Sequence, residues 1–300
     1  METINQNKKK TPKVGVVLSS GGLKPISSLA LFEFLDEEKI NIDLMVGCSG
    51  GGVLAAFRGT GYDNQQIIAL ATEFLSQKVF SKVDYQTVLN IGRLPYGKFD
   101  VSKGLFKKGL FLQTAEKLFG GHQLEALQTK TLLQATDIQN GEGVILERSS
   151  LAEAVYASLA MYPLLPPICI DGRWLIDGAF SSPLPVLEAV KRNMDVIIVM
   201  LFHEELVREP KKFVDGFSNI TRAVSLSLIK SQLALAIDLH HHEIIVINVP
   251  FVNPVSLSDV NLIPGLLELG RRAVDEKKEE ILHAIKRYGH VESVQSSQGG

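Results

Sequence analysis

The stretch Gly47–Gly51, with the sequence GCSGG, constrains the chain more than any other part of its 300 residues. A short apolar run at 42–46 precedes it, and a helix-prone segment follows. A serine between a strand and a helix sits in a sharp turn whose crowded backbone requires small neighbours. Gly47 and Gly51 provide that space, so the pattern indicates a nucleophile elbow with Ser49 at its apex.

The segment before the elbow predicts the fold class. A buried strand is predicted at 14–18, a glycine-rich loop at 19–24 and a helix from Pro25 to Glu38. A second strand at 42–46 then leads into the elbow and into a helix that begins at Gly50. This order is typical of a parallel sheet covered by helices, so we expect an α/β fold with a mainly parallel central sheet.

The rest of the chain continues the alternation of helices and strands. Asp171-Gly172 predicts a hairpin turn, and Ser150 with Glu153 predicts a capping box. Further helices are predicted at 63–77, 112–119, 151–158, 186–192, 217–239 and 265–287, and further strands at 131–136, 144–146, 168–170, 173–176, 196–202 and 243–249. We expect one domain at 13–288, flexible tails at 1–12 and 292–300, and a mobile cover at 78–111.

Composition narrows the class of protein. With 31 basic and 33 acidic side chains, the chain has no long-range field that would attract nucleic acid. Two cysteines cannot form a disulfide framework, which favours a reducing, cytoplasmic location, and Cys48 is interpreted as a buried filler rather than a reactive thiol. No apolar stretch is expected to approach the roughly 20 residues of a membrane span, so contact with a membrane would be peripheral.

Two further groups complete the chemistry that a nucleophilic serine needs. Backbone amides of Gly21, Gly22 and Gly50 carry no obstructing side chains and are predicted to form an oxyanion hole. Asp177 ends a predicted strand and is followed by Gly178, which allows a tight turn. Because aspartate is a weak base in water, we expect Asp177 to act from a desolvated pocket.

These motifs together resemble the patatin-like phospholipases of the bacterial and neuropathy-target-esterase type. The resemblance rests on Ser20–Lys24, Gly47–Gly51, Asp177–Ala179 and the proline-bearing Ser182–Pro185, and it covers about 13–202. It implies a three-layer α/β/α patatin-like fold. It also implies a serine–aspartate dyad without histidine, with Ser49 as the nucleophile and Asp177 as the base, and no cofactor or metal.

The resemblance further implies a hydrolase that cleaves fatty-acyl esters of phospholipids or lysophospholipids through an acyl-enzyme. The expected partner is a lipid or ester substrate, and the oligomeric state is left open. A general carboxylesterase or thioesterase is the alternative among enzymes. A catalytically quiet regulatory protein is the alternative outside them, and it is kept open by Pro25, which stands where the family usually has glycine. We expect Pro25 only to start the helix.

Several other polar residues have two interpretations. The segment 20–22, which carries the amides of Gly21 and Gly22, is called the oxyanion loop below. Lys24 is either a candidate anion contact beside this loop or a solvated residue at a helix start. His203 or His240 would complete a triad in the order found in α/β-hydrolases, although the dyad is favoured. Asp43 and Asp137 are candidate carboxylates that we expect to be structural.

Two short segments also allow alternatives. The histidines at 240–242 are interpreted as cations at a helix end rather than metal ligands, because consecutive side chains on a helix diverge. The segment 103–111 mixes lysines with aromatic residues and predicts either a contact with a lipid interface or a loop whose Phe106 and Phe111 pack into the core.

Overall fold

An eight-stranded sheet organises the part of the chain that the computed structural model describes, residues 11–76, 84, 85, 87, 89, 100–206, 208–211, 213–241 and 243–290. Most of the stretch predicted as a mobile cover, 78–111, lies outside the described residues, as do most of the predicted tails. The division into one domain with two tails therefore stays a prediction.

Strands and helices alternate along the chain. The strands are β1 (Val14–Leu18), β2 (Leu44–Cys48), β3 (Thr131–Asp137), β4 (Gly143–Leu146), β5 (Ile168–Ile170), β6 (Arg173–Asp177), β7 (Val196–Glu204) and β8 (Glu243–Phe251). The α-helices are α1 (Leu29–Glu37), α2 (Gly50–Gly59), α3 (Asn64–Ser76), α4 (Lys108–Phe119), α5 (Leu151–Leu159), α6 (Val186–Lys191), α7 (Phe213–Leu239), α8 (Ile263–Asp275) and α9 (Lys278–His290). Short 3-10 turns span Lys24–Ser28, Leu124–Ala126, Gly178–Phe180 and Val260–Leu262.

The strand order is β5-β6-β3-β2-β1-β7-β8, with β4 paired to β3 off this path. β1 is parallel to β2 and β7, β2 is parallel to β3, and β7 is parallel to β8. β4, β5 and β6 add the antiparallel pairs. The predicted α/β fold with a mainly parallel sheet is confirmed.

Helices cover both faces of the sheet, which gives the three expected layers. Side chains of successive strand residues point to opposite faces, so Leu18 and Met45 join one apolar core while Val17 and Val46 join another. Helices α1, α2, α4, α5, α8 and α9 pack on the first core. Helices α6 and α7 cover the second core.

The predicted turns, helix caps and helix bounds agree with the structure only in part. The hairpin turn is confirmed, since Asp171 and Gly172 have φ of 50° and 77° and join antiparallel β5 and β6. The capping box is wrong, because Ser150 makes no side-chain hydrogen bond to the start of α5. The predicted terminal helix is two helices, α8 and α9, and the helix predicted from Pro25 begins as a 3-10 turn.

Helix α7 contradicts the expectation that no apolar stretch approaches the length of a membrane span. Its segment Ser218–Leu239 has a mean hydropathy of 1.3 and is long and apolar enough to cross a membrane by length and composition. Polar contacts nevertheless connect this helix to the segment after β6. Gln232 accepts a hydrogen bond from Ser182 and donates one to the carbonyl of Ser181, at 3.2 and 3.3 Å.

Candidate active site

Ser49 occupies the sharp turn between β2 and α2. Its backbone has φ 53° and ψ −125°, a conformation that residues with a side chain rarely adopt. The hydroxyl of Ser158 on α5 accepts a hydrogen bond from the Ser49 amide at 3.0 Å. Through this bond, helix α5 stabilises the unusual backbone conformation of Ser49.

The glycines around Ser49 leave no room for a side chain. A Cβ on Gly47 would lie 2.6 Å from the carbonyl oxygen of Gly51, and one on Gly51 would lie 2.4 Å from the carbonyl oxygen of Ser19. A Cβ on Gly50 would lie 2.0 Å from the carbonyl oxygen of Gly22. The turn is therefore fixed by direct backbone contact with the neighbouring loop.

The loop after β1 places its amides beside the start of α2. A Cβ on Gly50 would be 3.1 Å from the amide nitrogen of Gly22, whose φ is +62°. Within the described residues, the backbone amides of Gly21, Gly22 and Gly50 donate no hydrogen bond. Free amides at the positive end of a helix dipole form a suitable site for a developing oxyanion.

Asp177, the last residue of β6, faces the serine. Its Oδ2 accepts a hydrogen bond from the Ser49 Oγ at 2.8 Å, and its Oδ1 accepts one from the Ala179 amide at 2.9 Å. Thr136 donates to the backbone carbonyl of Asp177 at 2.9 Å. Both carboxylate oxygens and the backbone of Asp177 are therefore held in place.

Ser49 and Asp177 meet, although 128 positions separate them, because two strands end toward each other along one edge of β3. β2 runs parallel to β3, and its last residue, Cys48, pairs with Gln134. β6 runs antiparallel to β3, and Asp177 pairs with Ala135. Since β4 occupies the other edge of β3 at both positions, β2 and β6 share an edge and their carboxyl ends face each other.

The environment of Asp177 makes it a better base than an exposed carboxylate. The residue is 1% exposed. Burial raises the pKa of the Asp177 carboxyl from 3.8 to about 6, and the hydrogen bonds from Ala179 and Ser49 oppose that rise. Asp177 is thus ionised near neutral pH and accepts a proton more readily than aspartate in water.

An apolar cavity of about 320 Å³ opens onto the two side chains. Ser49 and Asp177 are part of its wall, together with Gly22 and Gly50. The other residues of the wall are Leu23, Pro25, Ile26, Val53, Leu54, Phe57, Ile67, Ala71, Phe111, Leu159, Met161, Leu164, Leu165 and Leu257. A hydrocarbon chain placed here would have its polar end beside the serine.

Lys24 does not line this cavity. It is 8% exposed, so the interpretation as a solvated residue is wrong. Its ammonium forms an ion pair with Glu204 at the end of β7. Contact of Lys24 with a substrate anion stays a prediction. Pro25 is the second residue of the 3-10 turn, which begins at Lys24 and leads into α1, and it also forms part of the cavity wall.

Neither histidine of the alternative triads forms a described hydrogen bond with Ser49 or Asp177. Among described residues, the Asp177 carboxylate accepts hydrogen bonds from Ser49 and Ala179, and His203 and His240 are absent from the cavity wall. No group of histidine, cysteine, aspartate or glutamate in the described chain could hold a metal ion.

The other candidate polar groups have structural contacts. Asp43 accepts a hydrogen bond from the Val14 amide at 2.8 Å, and Asp137 accepts one from the Gln139 amide at 2.9 Å. Cys48 is fully buried. Burial and the nearby Asp177 carboxylate raise the pKa of the Cys48 thiol well above its ordinary value, which favours its interpretation as a filler.

In the segment 103–111, Phe111 is 3% exposed and forms part of the cavity wall, which supports the interpretation of that aromatic as a core residue. Phe106 is half-buried and packs against the same core. Contact of the segment with a lipid interface stays a prediction.

For three polar residues near the site, the sequence analysis predicts no role. Ser158 holds the nucleophile turn, Thr136 holds the backbone of Asp177, and Glu204 pairs with Lys24. Each acts across elements that are distant in the chain, so no local spacing marks it. The one available signal is a polar residue in an otherwise buried apolar segment, as Ser158 is in α5.

Comparison with known proteins gives a family for this arrangement. The family model for patatin-like phospholipases matches residues 16–190. Lysophospholipase NTE1 of Candida albicans is 29% identical over 206 residues, which cover 68% of this chain and 14% of that protein. An NTE family protein of Mycobacterium tuberculosis is 26% identical over 173 residues, which cover 57% of this chain and 27% of that protein. The chain thus corresponds to a minor part of each relative's length.

A solved structure with a similar fold is the human GIVD cytosolic phospholipase A2. It has a TM-score of 0.48 and 16% sequence identity, and the match covers 96% of this chain and 61% of that chain.

Proposed function

Because the chain belongs to the patatin-like phospholipase family, we propose that it is a serine acyl hydrolase that cleaves fatty-acyl esters of phospholipids or lysophospholipids. The observation that carries the proposal is the 2.8 Å hydrogen bond from the Ser49 hydroxyl to the Asp177 carboxylate beside an apolar cavity. The name of the related lysophospholipase supports the substrate class.

In the proposed reaction, the Ser49 Oγ attacks the ester carbonyl carbon while Asp177 accepts the hydroxyl proton. The resulting oxyanion is bound by the amides of Gly21, Gly22 and Gly50. The C–O bond to the alcohol then breaks, and the leaving alkoxide takes the proton from Asp177. Water, deprotonated by Asp177, attacks the acyl-enzyme, and the fatty acid leaves as Ser49 regains its proton.

The cavity supports an acyl chain as the bound part of the substrate. Its volume of about 320 Å³ is near the lower end of ligand pockets, which run from ~300 to ~1,000 Å³. Apart from Ser49 and Asp177, its wall offers backbone groups and apolar side chains. Among the described residues of the wall, no side chain is suited to binding a charged head group, so we place the head group outside the cavity.

Replacement of the two proposed catalytic residues tests the function. We expect Ser49→Ala and Asp177→Asn each to lower the release of fatty acid from a lysophospholipid by ~10⁴-fold or more, because loss of either member of such a unit removes most of the acceleration. Mass spectrometry measures the fatty acid, and circular dichroism checks the fold. Asp171→Asn is the matched control, since Asp171 is an exposed turn residue.

The same measurements separate the alternatives. Labelling of Ser49 by a fluorophosphonate with turnover of p-nitrophenyl esters but not of lipids would indicate a general esterase or thioesterase. Neither labelling nor turnover in the wild type would indicate a catalytically quiet protein. Turnover at the wild-type rate by either variant would refute the dyad. A cytoplasmic location and peripheral contact with a membrane remain predictions.

A further inference from the structure

Glu204 is a buried carboxylate between two cations at the carboxyl end of β7. Its Oε2 pairs with the ammonium of Lys24 and its Oε1 with the guanidinium of Arg222 on α7. The side chains of Glu204, Lys24 and Arg222 are 8%, 10% and 27% exposed. The contact with Arg222 is an ion pair without the alignment of a hydrogen bond, whereas Lys24 donates a hydrogen bond to Glu204.

This cluster lies directly beyond the oxyanion loop. The Ser19 amide donates to the Met200 carbonyl at 3.1 Å, and the Phe202 amide donates to the Ser19 hydroxyl at 3.3 Å. β7 therefore anchors the loop before its glycines, and the Lys24–Glu204 pair anchors it after them. Between these anchors, Gly21 and Gly22 have no side chains that could hold their amides in place.

We propose that Glu204 is a positioning residue that fixes the oxyanion loop through Lys24 and connects it to α7 through Arg222. This role rests on the proposed hydrolase function. Lys24 lies outside the cavity wall and its ammonium is paired with Glu204, so in this proposal the pair acts through the position of the backbone. Contact of Lys24 with a head group outside the cavity is the competing role, and the KM measurement below distinguishes the two.

Loss of the Glu204 charge would leave the Lys24 ammonium buried without its counterion. Among the described residues, the ammonium would keep its cation–π contact with the ring of Phe251, whose centroid is 5.8 Å from the Lys24 Nζ. A buried charge that loses its partner is strongly destabilising, which favours movement of the ammonium toward water. The loop that carries the amides of Gly21 and Gly22 would move with Lys24, and a displacement of about 1 Å costs on the order of 10²-fold in rate.

The test compares two glutamates that each pair with two cations. Glu204→Gln is expected to lower kcat by ~10- to 100-fold with KM unchanged, because the amides act on the transition state. Labelling by a fluorophosphonate should slow by a similar factor. The control is Glu188→Gln, since Glu188 pairs with Lys191 and Arg192 away from the cavity. The control should keep the wild-type kcat and labelling rate.

A second variant separates positioning from stability. In Lys24→Met combined with Glu204→Gln, the unpaired ammonium is removed, so the thermal stability lost through Lys24 should return, while the more exposed Arg222 still lacks its carboxylate partner. The kcat per labelled serine should nevertheless stay at least ~10-fold below that of the wild type, because the loop has lost its anchor.

Other results would overturn the proposal. If Glu204→Gln lowers Tm but keeps the wild-type kcat per labelled serine, Glu204 has a structural role alone. A raised KM with unchanged kcat would place the cluster in substrate binding. A wild-type protein without turnover or labelling would instead refute the hydrolase function itself, and the positioning role with it.

Discussion

The two residues of the proposed dyad, Ser49 and Asp177, are held in place by different forces. On the serine side, backbone atoms touch so closely that a Cβ on Gly50 would lie 2.0 Å from a carbonyl oxygen. On the aspartate side, the carboxylate is held by hydrogen bonds from Ser49 and Ala179 and is 1% exposed. Steric contact restricts the positions around Ser49 to glycine. The position and ionisation of Asp177 depend instead on the hydrogen-bond donors and the burial that the fold provides.

The largest expected effect comes from Gly51→Ala, which disrupts the close backbone contacts around Ser49. A Cβ introduced by Gly51→Ala would lie 2.4 Å from the Ser19 carbonyl oxygen and 2.7 Å from that of Leu18. We expect unfolding free energy to fall by about 3 kcal/mol and turnover by ~10²-fold or more, because the turn must open away from the loop amides. Urea denaturation and initial rates measure the two effects.

Gly109→Ala is the matched control for that substitution. Gly109 lies in α4 with open space where its Cβ would be, so the same change should stabilise the protein by ~0.5–1 kcal/mol. Equal stability of the two variants would show that the contacts around Gly51 relax at little cost.

The tight turn around Ser49 could be predicted from the sequence, because the residues that crowd it are close to it in the chain. Gly47 and Gly51 flank Ser49 in the chain, so crowding at the turn appears as a local pattern. Strands such as β1 and β7 could also be predicted, because buried parallel strands are continuous apolar runs. Asp177 was found through its position before Gly178, whose Cβ would lie 2.3 Å from the Gln134 carbonyl oxygen.

Interactions between distant elements could not be predicted in the same way. The approach of β2 and β6 depends on both strands pairing with the same edge of β3, which no local spacing encodes. Ser150 has the spacing of a capping box with Glu153, yet it makes no side-chain cap. A local pattern permits such a bond, but tertiary contacts decide whether it forms.

The next effect tests the role of Asp177 through the pH dependence of kcat/KM. Asp177 must be ionised to accept a proton, and burial raises its pKa to about 6. We expect kcat/KM to be level above that pH and to fall ~10-fold for each unit below it. A pH–rate profile on a neutral p-nitrophenyl ester measures this midpoint, and a midpoint near 4 would contradict the role of burial.

The same shift predicts that the ionised base destabilises the fold. The folded pKa of about 6 exceeds the ordinary 3.8, so the folded protein binds the proton more tightly and wild-type stability falls as pH rises between those values. At pH 8, Asp177→Asn should therefore raise unfolding free energy, by up to about 3 kcal/mol. Urea denaturation should show this gain shrinking as pH falls through that window.

Asp100 provides a control of opposite sign. Hydrogen bonds from Ser102 lower the pKa of the exposed Asp100 carboxyl. Its ionised form is thus favoured in the folded state, and Asp100→Asn should give no stabilisation at pH 8. A gain for both variants would point to a general effect of charge removal rather than to burial of Asp177.

A smaller effect tests whether the steric side also needs a hydrogen bond. Ser158→Ala removes the acceptor for the Ser49 amide, 3.0 Å away, and leaves that amide buried. We expect a loss of ~1–3 kcal/mol in unfolding free energy and a decrease of ~10-fold in kcat. Denaturation and steady-state kinetics measure both. Unchanged kcat would show that the glycine contacts alone hold the serine.

The smallest expected effect concerns Cys48, which adjoins Ser49 in the chain but shares the electrostatic environment of Asp177. Burial and the carboxylate raise the pKa of its thiol, so the reactive thiolate is suppressed, whereas Cys169 is exposed. Iodoacetamide should therefore modify Cys169 and leave Cys48 intact in the folded protein, with turnover unchanged. Peptide mapping by mass spectrometry locates the modification, and Cys169→Ser is the control. Rapid alkylation of Cys48 with loss of activity would mean that water reaches the carboxylate, which would remove the physical basis for the raised pKa of Asp177.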